Sequence, residues 1–74
     1  MNYIQRIRDL REDNDMKQSE IANILQISQQ QYSIYESGKR PIPVNAIIKL
    51  CKFYDVTADY FLCLIDEPRR IPRK

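Results

Sequence analysis

The chain predicts an all-α fold, and three observations carry that expectation. Apolar residues recur at three- and four-residue spacing in successive stretches, as they do on one face of a helix. Only one glycine and four prolines interrupt 74 residues, and the prolines are confined to 41–43 and 68–72. With 43% hydrophobic and 30% charged residues, the chain can build one core and no more. A compact domain over residues 1–66 followed by a basic, flexible tail, 67–74, is therefore expected.

Ile4, Ile7 and Leu10 place a first helix over about residues 2–13, with Asn14 and Asp15 able to end it in a left-handed turn. Ile21, Ala22 and Leu25 mark a short second helix over about 17–25, with Met16 plugging the core beside it. Ser28 is suited to cap a third helix, about 28–37, that Gly38 closes. Lys39 to Pro43 form a stiff connector, because two prolines one residue apart fix an extended path, and Pro43 suits the first turn of a fourth helix. Val44, Ile47, Ile48, Cys51 and Tyr54 give that helix a buried stripe to about residue 54. Thr57 then caps a fifth helix carrying Phe61, Leu62 and either Leu64 or Ile65, which Pro68 stops.

Composition also narrows the function. There is no histidine and no glycine-rich phosphate loop, and the carboxylates are scattered over helix surfaces, so no enzyme and no cofactor are expected. Cys51 and Cys63 lie within apolar helical patterns without metal-type spacing, which suits reduced core thiols rather than a metal site. The charged N-terminal stretch MNYIQRIRDLREDND lacks the apolar run of a secretory signal or membrane span, so a cytoplasmic protein without membrane contact is expected. Net charge is only +2, but its distribution is uneven. Residues 16–54 carry a local +3, the acids from Asp55 to Glu67 give −4, and PRRIPRK returns +4. Such blocks can orient a molecule on a polyanion.

The third helix is the informative one. At about 100° per residue, Tyr32, Tyr35 and Glu36 fall on one side, and Gln29, Gln30, Ser33, Ile34 and Ser37 on the other. A solvated helix face normally gathers Lys, Glu and Arg, whereas this one is uncharged and rich in groups that both donate and accept hydrogen bonds. Glutamine amides can pair bidentately with adenine in a major groove, serine with either type of base, and an isoleucine can rest on a thymine methyl.

The segments IRDLRED, MKQSEIANIL, ISQQQYSIYESGKR and VTADYFL, in this order from about Ile4 to Leu62, resemble the lambda-repressor-like, or XRE, family of helix-turn-helix regulators. That resemblance implies a compact five-helix DNA-binding domain whose helices two and three form the helix-turn-helix. By similarity, Gln18 at the start of helix two grips a DNA phosphate, and Gln29, Gln30, Ser33 and Ile34 face or flank base edges. Ile34 replaces a polar or basic residue common at its position, so methyl contact or a steric role takes the place of hydrogen bonding there. Lys17, Ser28, Ser37, Lys39 and Arg40 are implied phosphate or backbone contacts. Arg11 and Glu36 match an internal salt bridge of the family, which makes the acid after Tyr35 structural. Two departures stand out: Gln26 occupies a turn position where the family prefers glycine, and Cys63 stands near a glycine that ends helix five in many members. The second departure predicts a fifth helix continuing to Asp66 with a longer apolar edge.

The expected function is a sequence-specific transcriptional regulator, a repressor binding a pseudo-palindromic double-stranded DNA operator as a homodimer through helix five and the C-terminal region. No small-molecule ligand is expected, for want of a second domain to sense one. The alternative is an antitoxin-type module that neutralises a partner protein and autoregulates its operon.

Overall fold

The computed structural model describes residues 2–67, and among them the regular structure is entirely helical. The expectations for Arg69 to Lys74 in the basic tail lie outside the described residues. Helix α1 runs Tyr3–Asp13, α2 Gln18–Leu25, α3 Gln29–Glu36, α4 Val44–Tyr54 and α5 Ala58–Phe61. The all-α, five-helix expectation holds, with helix boundaries within a residue or two for the first four.

Local chemistry explains the ends. Asn2 caps α1, its Oδ1 accepting from the Gln5 N–H at 2.9 Å, and Ser28 caps α3 in the same way from Gln31 at 3.0 Å. Left-handed residues follow three helices: Asp15 at φ 55° just beyond α1, Gln26 at φ 60° after α2 and Asp55 at φ 56° after α4. Gly38, at φ 80°, closes α3, and the Lys39 N–H behind it donates to the Ile34 carbonyl at 3.2 Å. A Cβ at Gly38 would also come within 3.1 Å of Ile4 Cδ1, so both conformation and close packing on α1 call for glycine.

Helix α3 packs on α2 and α1, while α5 packs on α4 and α1. The core they enclose contains Ile7, Leu10, Ile21, Ala22, Leu25, Tyr32, Leu50, Cys51, Val56 and Phe61. Each fully buried large side chain contributes about 1.5–3 kcal/mol of transfer free energy. Ile42, held between the two prolines of the connector, is buried too, so the extended path of residues 41–43 is anchored as well as stiff.

Four expectations need correction here. The buried stripe of α4 does not contain Val44 and Ile48, which are 69% and 47% exposed; Leu50 takes their place at 0%. Ile47, Cys51 and Tyr54 do pack on the core, so the buried stripe is displaced toward Leu50 on a helix that is apolar around much of its circumference. Helix α5 ends at Phe61 rather than continuing toward Asp66. Cys63 takes φ 64° and its N–H donates to the Tyr60 carbonyl at 3.1 Å, so the cysteine adopts the left-handed stop conformation that glycine would. Leu62 and Leu64 consequently turn outward rather than lining a helical core edge. Thr57 occupies the N-cap position of α5, but its hydroxyl makes no capping hydrogen bond. Pro43, finally, sits just ahead of α4 at φ −65° rather than within its first turn.

Candidate nucleic-acid interface

Helix α3 turns Tyr32 and Glu36 fully inward and leaves Gln29 and Gln30 exposed, with Ser33 and Ile34 half-buried beside them. Tyr35 is half-buried at the edge, where its hydroxyl accepts from Gln31 Nε2 at 2.7 Å. That contact fastens the third glutamine to the helix's own flank and separates it from the two that face outward.

An open concavity runs along the outer side of α3. It is lined by Gln29, Gln30, Ser33 and Ile34 of α3, together with Gln18 from α2 and Lys39 with Arg40 from the connector. Thus seven of the ten residues expected to touch bases or phosphates line one surface. None of the seven carries a negative charge.

The other three lie around it with different capacities. Lys17 is exposed at the head of α2, where its backbone N–H donates to Glu20 Oε1 at 2.9 Å. Ser28 is exposed, and because its hydroxyl oxygen accepts from Gln31, its proton stays available to an anion. Ser37 is less suited to phosphate: its Oγ donates to the Ile34 carbonyl at 2.8 Å, so its one proton is already committed. At the start of α2, the backbone N–H groups of Gln18 and Ser19 find no partner among the described residues. Free N–H groups at a helix N-terminus favour an anion.

Behind this surface sits an ion pair. Arg11 Nε donates to Glu36 Oε2 at 3.0 Å and Arg11 Nη2 to Oε1 at 2.9 Å, a two-pronged contact, while Arg11 Nη1 donates to the Met16 carbonyl at 2.9 Å. Gln18 Nε2 also donates to Glu36 Oε1, at 3.3 Å, and Arg8 Nε stands 3.5 Å from the same oxygen. Burial by itself raises the pKa of the Glu36 carboxyl, but the Arg11 guanidinium above all, then the nearby Tyr32 hydroxyl and the Gln18 amide, outweigh it and hold the group below the usual carboxylate range. Burial pushes the Tyr32 and Tyr54 phenols up, and the Cys51 thiol likewise, so all three stay neutral near pH 7.

Arg8 did not figure in the sequence reading. Its spacing of three residues from Arg11 places both guanidiniums on one face of α1, a pattern that was available. The Gln31–Tyr35 contact, four residues apart on α3, was equally legible.

A short helix, a left-handed turn at Gln26 and a second helix with an outward polar face define a helix-turn-helix domain. A family model described as helix-turn-helix matches residues 7–61. The chain belongs to this family, in its XRE-type, lambda-repressor-like form. It is similar to an uncharacterized HTH-type transcriptional regulator, YobD, of Bacillus subtilis (strain 168), at 33% identity over 66 residues, covering 89% of this chain and 59% of that protein. It is also similar to the cryptic phage CTXphi transcriptional repressor RstR of Vibrio cholerae, at 37% identity over 54 residues, covering 73% of this chain and 49% of the repressor. The chain therefore spans from about half to about three fifths of the length of these relatives. No solved structure matches it significantly. No helix among the described residues is long and apolar enough to cross a membrane.

Proposed function

We propose that the protein is a sequence-specific DNA-binding transcriptional regulator that represses by occupying its operator. The observation that carries this reading is a concavity whose lining holds no acid, where two exposed glutamine amides share one surface with Gln18 at the head of α2 and the basic pair Lys39–Arg40. Gln29 and Gln30 read base edges in the major groove, with Ser33 and Ile34 completing the face. Gln18, Lys17, Ser28, Lys39 and Arg40 hold the sugar-phosphate backbone, which supplies affinity without sequence preference. That one relative is a transcriptional repressor supports repression over activation.

The protein acts as a homodimer in this reading. One domain presents a single eight-residue α3, about 12 Å of helix, whereas a pseudo-palindromic operator offers two half-sites about 34 Å apart. Two copies are then needed, and Leu62 and Leu64, 37% and 73% exposed beyond α5, offer apolar groups to join them, with Val44, Ile48 and Phe53 of α4 exposed as well.

A gel-shift series using the protein's own upstream DNA against a random duplex of equal length tests the reading. A retarded band that survives excess random competitor is the expected result. Equal competition by both duplexes would defeat the claim of sequence selection. Light scattering that finds a monomer on a two-half-site operator would defeat the dimer.

A further inference from the structure

Gln18 and Glu36 make a contact that the proposed interface leaves unexplained. The glutamine lines the DNA-facing concavity, yet its side-chain nitrogen donates inward, to a carboxylate that is 1% exposed. A carboxylate behind a phosphate site should weaken it by repulsion.

We propose that Glu36 is the positioning residue for the phosphate contact of Gln18, so that the Arg11–Glu36 ion pair of the core sets the geometry of DNA backbone binding. The inference rests on the reading of Gln18 as a phosphate ligand.

The chemistry of the amide carries it. A glutamine side chain can present either its oxygen or its NH2 group in nearly the same volume, so shape alone does not choose. Glu36 chooses: an amide oxygen turned toward Oε1 would set acceptor against acceptor, whereas the NH2 group gives it a hydrogen at 3.3 Å. An NH2 group has two hydrogens. With one committed to Glu36, the second is held in a fixed direction and remains for another anion. The neighbouring backbone N–H groups of Gln18 and Ser19, free at the head of α2, supply further donors for the same phosphate.

Repulsion is offset locally. Both Glu36 oxygens are covered by Arg11, and Arg8 brings a second guanidinium to 3.5 Å, so two cations surround one anion and the cluster carries a net positive charge. Gln18 then stands as a neutral bridge between two anions, one buried and permanent, the other arriving with DNA. Preorganising it removes part of the side-chain ordering cost that a free glutamine meets on binding.

Fluorescence anisotropy with a labelled random-sequence duplex tests this through Gln18→Ala, Glu36→Gln and the double variant. Gln18→Ala should weaken binding about tenfold and Glu36→Gln by somewhat less, with the double variant no weaker than Gln18→Ala alone. Multiplicative losses would overturn the positioning role and leave Glu36 purely structural. Unchanged binding by Gln18→Ala would instead remove the phosphate reading of Gln18 itself. Should Glu36→Gln fail to fold by circular dichroism, side-chain amide resonances of the native protein decide. On adding duplex, the hydrogen bonded to Glu36 should keep its shift while its partner moves. Convergence of both toward free-glutamine shifts would overturn the proposal.

Discussion

Arg6 of α1 lies over the ring of Tyr60 in α5, its guanidinium carbon 3.9 Å from the ring centroid, and its Nη1 donates to the Tyr60 carbonyl at 2.8 Å. One side chain thus joins the first helix to the last. Arg6 is only 6% exposed, so the charge is satisfied by the ring face and the carbonyl rather than by bulk water. Arg6→Met keeps the buried stem but removes both contacts, leaving the Tyr60 carbonyl with the Cys63 N–H as its donor. Urea denaturation should register a loss of about 2 kcal/mol, with Arg6→Lys falling between that and the native protein because it keeps charge without the planar fork. Equal stability of Arg6→Met and the native chain would show the contact to be idle.

Stability should also fall in acid because of Glu36. Its folded-state pKa is depressed, so its contribution is fully present above the ordinary value of 4.5 and is lost as pH falls below that value toward the folded one. Near neutral pH, Glu36→Gln should destabilise by about 3–5 kcal/mol, since it leaves Arg11 with a weakened partner in a largely buried site. The gap between the two proteins should then narrow steadily below about pH 4.5. Denaturation curves at a series of pH values provide the check. A gap independent of pH would mean that the carboxylate is not what stabilises this junction.

Much of this architecture is legible in the residues themselves. Ser28 and Gly38 bracket α3, and its helical wheel separates Tyr32 and Glu36 from Gln29 and Gln30 because opposite faces differ in chemistry as well as hydropathy. The failures fall where that contrast is missing. Around α4, Val44, Ile47, Ile48, Leu50 and Cys51 form one broad apolar arc, and only packing within the core decides that Leu50 is inside while Val44 and Ile48 are not. At the end of α5, a cysteine in the left-handed region costs strain that local preference argues against, and the tertiary fold overrides it. The ion pair followed from the family resemblance, but the second contact of Glu36, to Gln18, depends on how α2 and α3 approach each other. No spacing in the chain reveals that approach.

Gln26 offers a route to a more stable protein. It takes φ 60° and ψ 40° in the turn between α2 and α3, a conformation in which a side chain crowds the backbone, and it is exposed, so little packing would be lost on truncation. Gln26→Gly should stabilise by about 0.5–1 kcal/mol, the relief of strain being partly offset by the greater freedom of glycine in the unfolded chain. Thermal denaturation should show a raised midpoint, with DNA binding preserved because the backbone path of the turn is already the one glycine favours. A lowered midpoint would indicate that Gln26 is held by contacts that outweigh its strain.

The two halves of the proposed interface should respond differently to mutation. Gln29 and Gln30 are exposed and make no side-chain hydrogen bond to another described residue, so alanine at either place should leave folding intact. On the operator, each change should weaken binding by about 1–3 kcal/mol, and on random duplex by far less, because the amides act on base edges. Lys39→Ala should behave in the opposite way. It removes a positive charge beside the concavity, so operator and random DNA should weaken alike, and the slope of log affinity against log salt should shrink by about one. Parallel titrations of the three variants over a salt series distinguish the cases. Glutamine variants with unaltered operator preference would place sequence reading elsewhere on the molecule, while a Lys39→Ala protein that lost operator binding alone would move that lysine from the backbone to the bases.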